Sequence, residues 1–110
     1  MANTFRNAVA ASVGTSQTSV YTAPIATTTT VIGLTVANRS GSQITVDVEV
    51  TDTSASATVF LVKGASVPAG GALVPIGGDQ KVVLETTDII KVTSSAASSA
   101  DVIVSVLEQS

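Results

Sequence analysis

The sequence predicts an all-β chain: a single antiparallel β-sandwich, immunoglobulin-like or jelly-roll, of seven to eight strands. Three observations predict it. β-Branched residues alternate with polar or small ones at period two along most of the chain, and no stretch carries a helical period. Turn residues break the alternation about every eight to twelve positions, the spacing of short sandwich strands. The 110 residues are enough for one domain and too few for two.

Taken in order, residues 1–24 form either the first strands or an N-terminal arm. Phe5 to Val13 and Thr18 to Tyr21 have strand composition without clean alternation, and this segment is read either as part of the sandwich or as a strand added to a neighbour's edge. The sandwich proper is expected over residues 25–110. Thr28 to Asn38 groups Ile32, Leu34 and Val36 on the core face, with Val31 opposite. Arg39-Ser40-Gly41-Ser42 suits a hairpin into Gln43 to Thr51, where Ile44, Val46, Val48 and Val50 face inward and Thr45, Asp47, Glu49 and Thr51 outward. Ala57 to Lys63 sets Val59 and Leu61 against Phe60 and Val62. Val67-Pro68-Ala69-Gly70-Gly71 is a turn in which Pro fixes one corner and Gly accepts positive φ at the next. Ala72 to Ile76 contains Pro75 and belongs on an edge, where no ladder donor is needed. After the turn Gly77-Gly78-Asp79, Gln80 to Glu85 sends Val82 and Leu84 inward, and Thr86-Thr87-Asp88 leads to Ile89 to Thr93, with Ile90 and Val92 inward. The chain closes on Asp101 to Glu108, whose Val102, Val104 and Val106 share a face.

Composition excludes several function classes. Histidine and cysteine are both absent, which removes disulfides, thiolate or imidazole metal sites, and every catalytic triad or dyad built on them. No remaining side chain has an ordinary pKa near neutrality. The expectation is a non-enzyme with no catalytic, cofactor-binding or metal-binding residues. Five cations against eight anions give a net charge of −3, and three aromatic residues provide no stacking platform, so neither nucleic acid nor membrane is an expected partner. The N-terminus lacks the strongly apolar run of a secretory signal, and synthesis in a cytosol is expected.

With one face of each strand assigned to the core, six apolar residues are left facing outward: Val31, Phe60, Val62, Ile89, Ile103 and Leu107. Only 12% of residues are charged, too few to cover such a surface. These six are therefore the candidate interface residues of a domain partly buried in an assembly. Other motifs carry less. Asp47 and Glu49, with Asp52 just beyond, are the densest acidic group, but residues side by side on a strand do not converge as calcium ligands would. Gly70-Gly71 and Gly77-Gly78 lack the Lys-Ser/Thr that follows a phosphate-binding loop. Asn38-Arg39-Ser40 matches a glycosylation sequon, without a secretory signal to give it meaning.

The strings Val31-Ile32-Gly33-Leu34-Thr35-Val36-Ala37-Asn38, Val67-Pro68-Ala69-Gly70-Gly71-Ala72-Leu73, Val83-Leu84-Glu85-Thr86-Thr87-Asp88-Ile89-Ile90-Lys91-Val92 and Asp101-Val102-Ile103-Val104-Ser105-Val106-Leu107-Glu108 together resemble small structural proteins of tailed bacteriophages, of the type found in cyanophages and other marine phages. The resemblance covers about residues 25–108. The family usually carries Gly before the aspartate, where this chain has Thr87. The resemblance implies a non-enzymatic virion component with a β-sandwich fold. Its implied role is capsid decoration, as a cement protein on the head. It would partner itself as a homo-oligomer, trimers being common in that role, together with virion proteins such as the major capsid protein. A neck, tail or fibre-associated adaptor is the alternative place in the particle. A glycan- or receptor-binding module is the alternative function.

Overall fold

The computed structural model describes residues 2–77 and 80–110, and among these it contains strands, turns and no helix. Nine strands form: β1 (Asn3–Val13), β2 (Thr18–Thr22), β3 (Thr28–Asn38), β4 (Ile44–Asp52), β5 (Ala57–Val67), β6 (Ala72–Ile76), β7 (Val82–Leu84), β8 (Ile89–Ser94) and β9 (Ala100–Gln109). The count exceeds the expected seven to eight because all seven stretches named over residues 25–110 form strands and both N-terminal stretches add to them. One antiparallel sheet runs β1-β9-β3-β6, with β7 also paired to β3; the other runs β2-β8-β4-β5.

The pairings are nested: β1 with β9, β2 with β8, β3 with β6 and β7, β4 with β5. The chain is thus one long hairpin ribbon, turned at residues 53–56 and wrapped so that successive pairs fall in alternate sheets. This is jelly-roll connectivity, which decides between the two sandwich types the sequence leaves open. Residues 3–22 supply an edge strand to each sheet of their own chain.

Between the sheets lies a dry core of small branched side chains. Leu34, Val36, Val46, Val48, Leu84, Ile90, Val92, Val104 and Val106 are fully or almost fully buried, as alternation requires. Alternation fails where a bulge inserts a residue. In β3 the register against β9 slips between Val31 and Gly33, so Ile32 is the extra residue. Upstream of it Thr29 and Val31 point inward; downstream Leu34 and Val36 do. Val31, expected on an outward face, is therefore fully buried, and Ile32, expected in the core, is only half-buried. β5 carries two such slips, at Leu61 and around Gly64. The first turns Val62 towards Val48 and the core, correcting its expected outward position. The second places Gly64 at φ +64, with its N–H donated to Asp47 Oδ1 at 2.7 Å.

Arg39 to Ser42 also departs from expectation: it joins β3 to β4 across the two sheets and is not a hairpin. Asn38 builds this corner. Buried at the end of β3, its Nδ2 donates to the carbonyls of Ser42, Val67 and Pro68, and its Oδ1 accepts from Ser40 N and Ser40 Oγ. The second crossing at this end, β5 to β6, runs through Pro68 to Gly71, where Gly71 N donates to Pro68 O and Gly70 takes φ +70. That is the turn the sequence predicts. Pro75 lies on the edge strand β6, where the register against β3 slips and no ladder donor is missed. Gly78 and Asp79, part of the expected turn before β7, lie outside the described residues.

Candidate functional site

The two sheets turn different outer faces to solvent. On the sheet β2-β8-β4-β5, β4 directs Asp47 and Glu49 outward beside Thr93 and Lys91 of β8. Glu49 Oε1 also accepts from Gln17 Nε2 at 2.7 Å. Phe60, opposite Glu49, lies beneath the Lys63 ammonium, 4.5 Å from the ring centroid, and that ammonium is 4.0 Å from Asp47 Oδ2. This face is charged and each of its acids has a partner.

The five-stranded sheet presents the opposite character. Register places Phe5, Leu107, Thr30 and Val83 in one transverse row across β1, β9, β3 and β7. A second row runs Val9, Ile103 and Thr35 across β1, β9 and β3, and ends at Val74 of β6, in the bulge opposite Thr35. Phe5, Val9, Val74, Val83 and Ile103 are between 44% and 74% exposed. Between the rows lie Asn7, Ser105 and Gly33, with Ile32 lining the depression beside them, so the face is two apolar ridges flanking a shallow trough. A depression of about 290 Å3 opens beside the second ridge, against Val9, Thr35, Ala37 and Ile103. Asp101 is the one charge that β1, β3 or β9 directs outward here, at the end of the sheet. It accepts from Ser12 N and from Arg39 Nη1, and the Ser12 bond above all holds its carboxyl below the usual range.

The six residues singled out by sequence do not form one patch. Ile103 and Leu107 lie on the apolar face beside Val9 and Phe5. Ile89 is half-buried on the charged face opposite Thr51, where Phe60 also lies. Val31 and Val62 belong to the core side, as described. Sequence reasoning missed Phe5, Val9, Val74 and Val83. The N-terminal alternation is diluted by alanine, which hides the parity of Phe5 and Val9. Val83 is the one outward residue of a three-residue strand.

Two polar clusters span the sandwich. Tyr21 Oη donates to Glu108 Oε2 at 2.6 Å and lies 2.9 Å from Thr29 Oγ1, while Glu108 Oε1 accepts from Arg6 Nε at 2.8 Å. The chain Thr29–Tyr21–Glu108–Arg6 ties β2 of one sheet to β3, β9 and β1 of the other. Burial, reinforced by the Glu108 carboxylate, pushes the phenol up to about 12. The second cluster brings carboxylate oxygens of Asp52, Glu85 and Asp88 within 4.8 Å of one another. Buried Asp88 accepts from Thr53 N and Glu85 N, and Asp52 accepts from Ala55 N and Ser54 Oγ, bonds that hold its carboxyl below the usual range. These acids cap the turns that meet there, and Asp52 joins this cluster and not Asp47 and Glu49. The sequon residue Asn38 has its amide nitrogen committed to three carbonyls.

Comparison with protein-family models, with curated proteins and with solved structures finds no match to this chain.

Proposed function

We propose that this chain is a non-enzymatic structural protein of a tailed-bacteriophage virion, and within the particle a capsid-decorating cement protein that stabilises the head. The observation that carries the reading is the outer face of the five-stranded sheet: two apolar ridges almost without ionic cover. A solitary soluble domain covers such a face with Lys and Glu. Jelly-roll connectivity supports the reading, because capsid domains recur on it, and so does the resemblance of the four strings quoted above. Lectins share the fold, but Tyr21 is engaged internally and Phe60 has the Lys63 ammonium over its ring, leaving Phe5 as the most exposed aromatic ring.

The size of the face favours a high-copy role. Four strand positions about 4.8 Å apart and roughly 30 Å long make roughly 600 Å2. That is below the about 800 Å2 per partner typical of an interface that holds unaided. Repetition over a lattice supplies the remainder through effective concentration. The test is co-sedimentation of the purified protein with mature heads and, separately, with tails of the encoding phage. Saturable binding to heads supports decoration. Binding to tails alone moves the protein to the adaptor role, and binding to glycan with neither overturns the structural reading.

A further inference from the structure

Five strands offer an open sheet edge, and four of them are blunted. β5 is bent by two bulges and Gly64, β6 carries Pro75 within a bulge, β7 has three residues, and β2 has five with a bulge between Ser19 and Tyr21. β1 has none of these devices over Asn3 to Ala10, where it pairs with β9 in unbroken register, and it contains neither Pro nor Gly. Its single charge, Arg6, is neutralised by Glu108 of the same chain. A long, regular, uncharged edge is a template for another strand.

We propose that β1 pairs antiparallel with β1 of a second copy about a two-fold axis through Asn7, joining two five-stranded sheets into one. The backbone fixes which residues take part. Ala2 and Ser110 exchange both N–H···O bonds at 3.0 Å, so in this register the even-numbered residues of β1 bond to β9. Phe5, Asn7 and Val9 therefore point their N–H and C=O groups at the open edge. Side chains then select among the registers that pair odd residues with odd. An axis at Arg6 sets the two guanidinium groups opposite each other, and one at Ala8 sends Phe5 beyond the regular stretch to Ala11. With the axis at Asn7, Phe5 of each copy faces Val9 of the other, Arg6 faces Ala8, and no like charges meet. Two of the most exposed apolar side chains are covered, and about six backbone hydrogen bonds form. A two-fold axis makes such a contact closed and self-complementary. The ridges of the two copies also become continuous. The inference rests on the edge alone and not on the virion reading.

The absence of cysteine allows a direct test. Asn7→Cys, Phe5→Cys and Val9→Cys are oxidised under mild conditions and followed by non-reducing electrophoresis. At the axis the two Cα atoms lie about 5.5 Å apart, within disulfide reach, whereas two copies of position 5 or of position 9 lie roughly 14 Å apart. Asn7→Cys is expected to cross-link at least tenfold faster than either neighbour. Sedimentation of the unmodified chain should show reversible doubling of its 10.9 kDa mass. Asn7→Pro, which deletes an edge-facing N–H that β9 does not use, should raise the dissociation constant at least tenfold. Thr45→Lys, exposed on β4 of the other sheet, should leave it unchanged. A monomer at millimolar concentration, a trimer, or fastest cross-linking away from position 7 overturns the proposal. Should the Pro variant misfold, the cross-linking pattern still decides. Loss of the dimer leaves decoration by a monomer standing, and failure to bind heads leaves the dimer standing.

Discussion

The two outer faces of this sandwich are built on strands with the same inward pattern and differ only in what they show to solvent. On β4 and β8, Glu49 lies opposite Lys91, and the one large aromatic of that face, Phe60, has the Lys63 ammonium 4.5 Å from its ring centroid. On the five-stranded sheet, Phe5 and Val9 have no such cover, and the cross-strand neighbours Leu107 and Ile103 extend the apolar surface instead of interrupting it. Packing of the core requires no such difference, since either face could carry Lys and Glu without disturbing Val104 or Ile90. Of the charges that strands direct outward, Asp47, Glu49, Lys63 and Lys91 lie on one sheet and Asp101 alone on β1, β3 and β9 of the other, and the proposed role rests on that asymmetry.

The largest effect is expected from breaking that asymmetry directly. Phe5→Lys combined with Val83→Lys adds charge at both ends of one ridge, without entering the core. Losing the burial of two such side chains, at about 1.5 kcal/mol or more each, reduces affinity for heads roughly 100-fold. Thr45→Lys with Thr93→Lys, on the opposite face, should change it less than about twofold. Binding isotherms from co-sedimentation read both. Equal losses from the two pairs would mean that the faces are not functionally distinct.

Next in size is the corner that keeps the faces back to back. Asn38→Ala removes the amide that bonds the carbonyls of Ser42, Val67 and Pro68 and the N–H of Ser40, at the point where both β3–β4 and β5–β6 change sheets; Pro68 O keeps Gly71 N and Ser42 O keeps Ser40 Oγ. Losing the buried amide and its bonds costs about 2–4 kcal/mol. Urea unfolding should show this as a lower midpoint, with a shallower transition if the sheets separate independently.

How much of this was legible in the sequence differs from strand to strand. In β9 and β8 alternation is unbroken, and Val102, Val104, Val106, Ile90 and Val92 face inward as the pattern says. In β3 the run Val31-Ile32-Gly33-Leu34 is apolar on both parities, so nothing local reveals that Ile32 is a bulge and Val31 the core residue. The same ambiguity in Val59-Phe60-Leu61-Val62 hides the slip that turns Val62 inward. Which loops are hairpins and which cross between sheets is also hidden. That choice is made by the buried amide of Asn38 contacting a turn 29 residues away, a long-range fact with no local signature. The apolar face was legible only in part, because assigning Ile103 and Leu107 outward needs parity alone, whereas joining them to Phe5, Val9 and Val83 needs the strand order.

A smaller effect is expected where the two sheets are tied at their other end. Tyr21→Phe removes the hydroxyl that bridges Thr29 and Glu108, at a cost of about 1 kcal/mol near neutral pH, since Glu108 keeps its Arg6 partner. The pH dependence is more diagnostic. The phenol's ordinary value of 10.0 is raised to about 12 in the fold, so the folded state holds the proton more tightly than the unfolded chain. Its stabilisation is complete below pH 10 and is lost as pH rises from about 10 to about 12. With one Tyr and no Trp in the chain, absorbance of the tyrosinate reads this single group. The native signal should rise near pH 12, and the urea midpoints of the parent and the Phe variant should converge over that window.

The smallest effect concerns the turn that carries the chain from β7 on the apolar sheet to β8 on the charged one. Glu85 to Asp88 closes with Asp88 N donating to Glu85 O, and its third residue, Thr87, has φ +66. The turn from Pro68 to Gly71, running the other way between the sheets, has the same form with Gly70 at φ +70. Positive φ is costly for a β-branched residue and free for glycine, by about 1–2 kcal/mol. Part of the cost at Thr87 is offset by its Oγ1, 2.6 Å from Thr53 Oγ1 across the turn between β4 and β5. Thr87→Gly relieves the strain, gives up that contact and adds chain entropy to the unfolded state, for a net stabilisation of about 0.5 kcal/mol. Thermal unfolding should show a rise of a few degrees. A fall would mean that the hydroxyl pair linking the two turns contributes more than the backbone strain it accompanies.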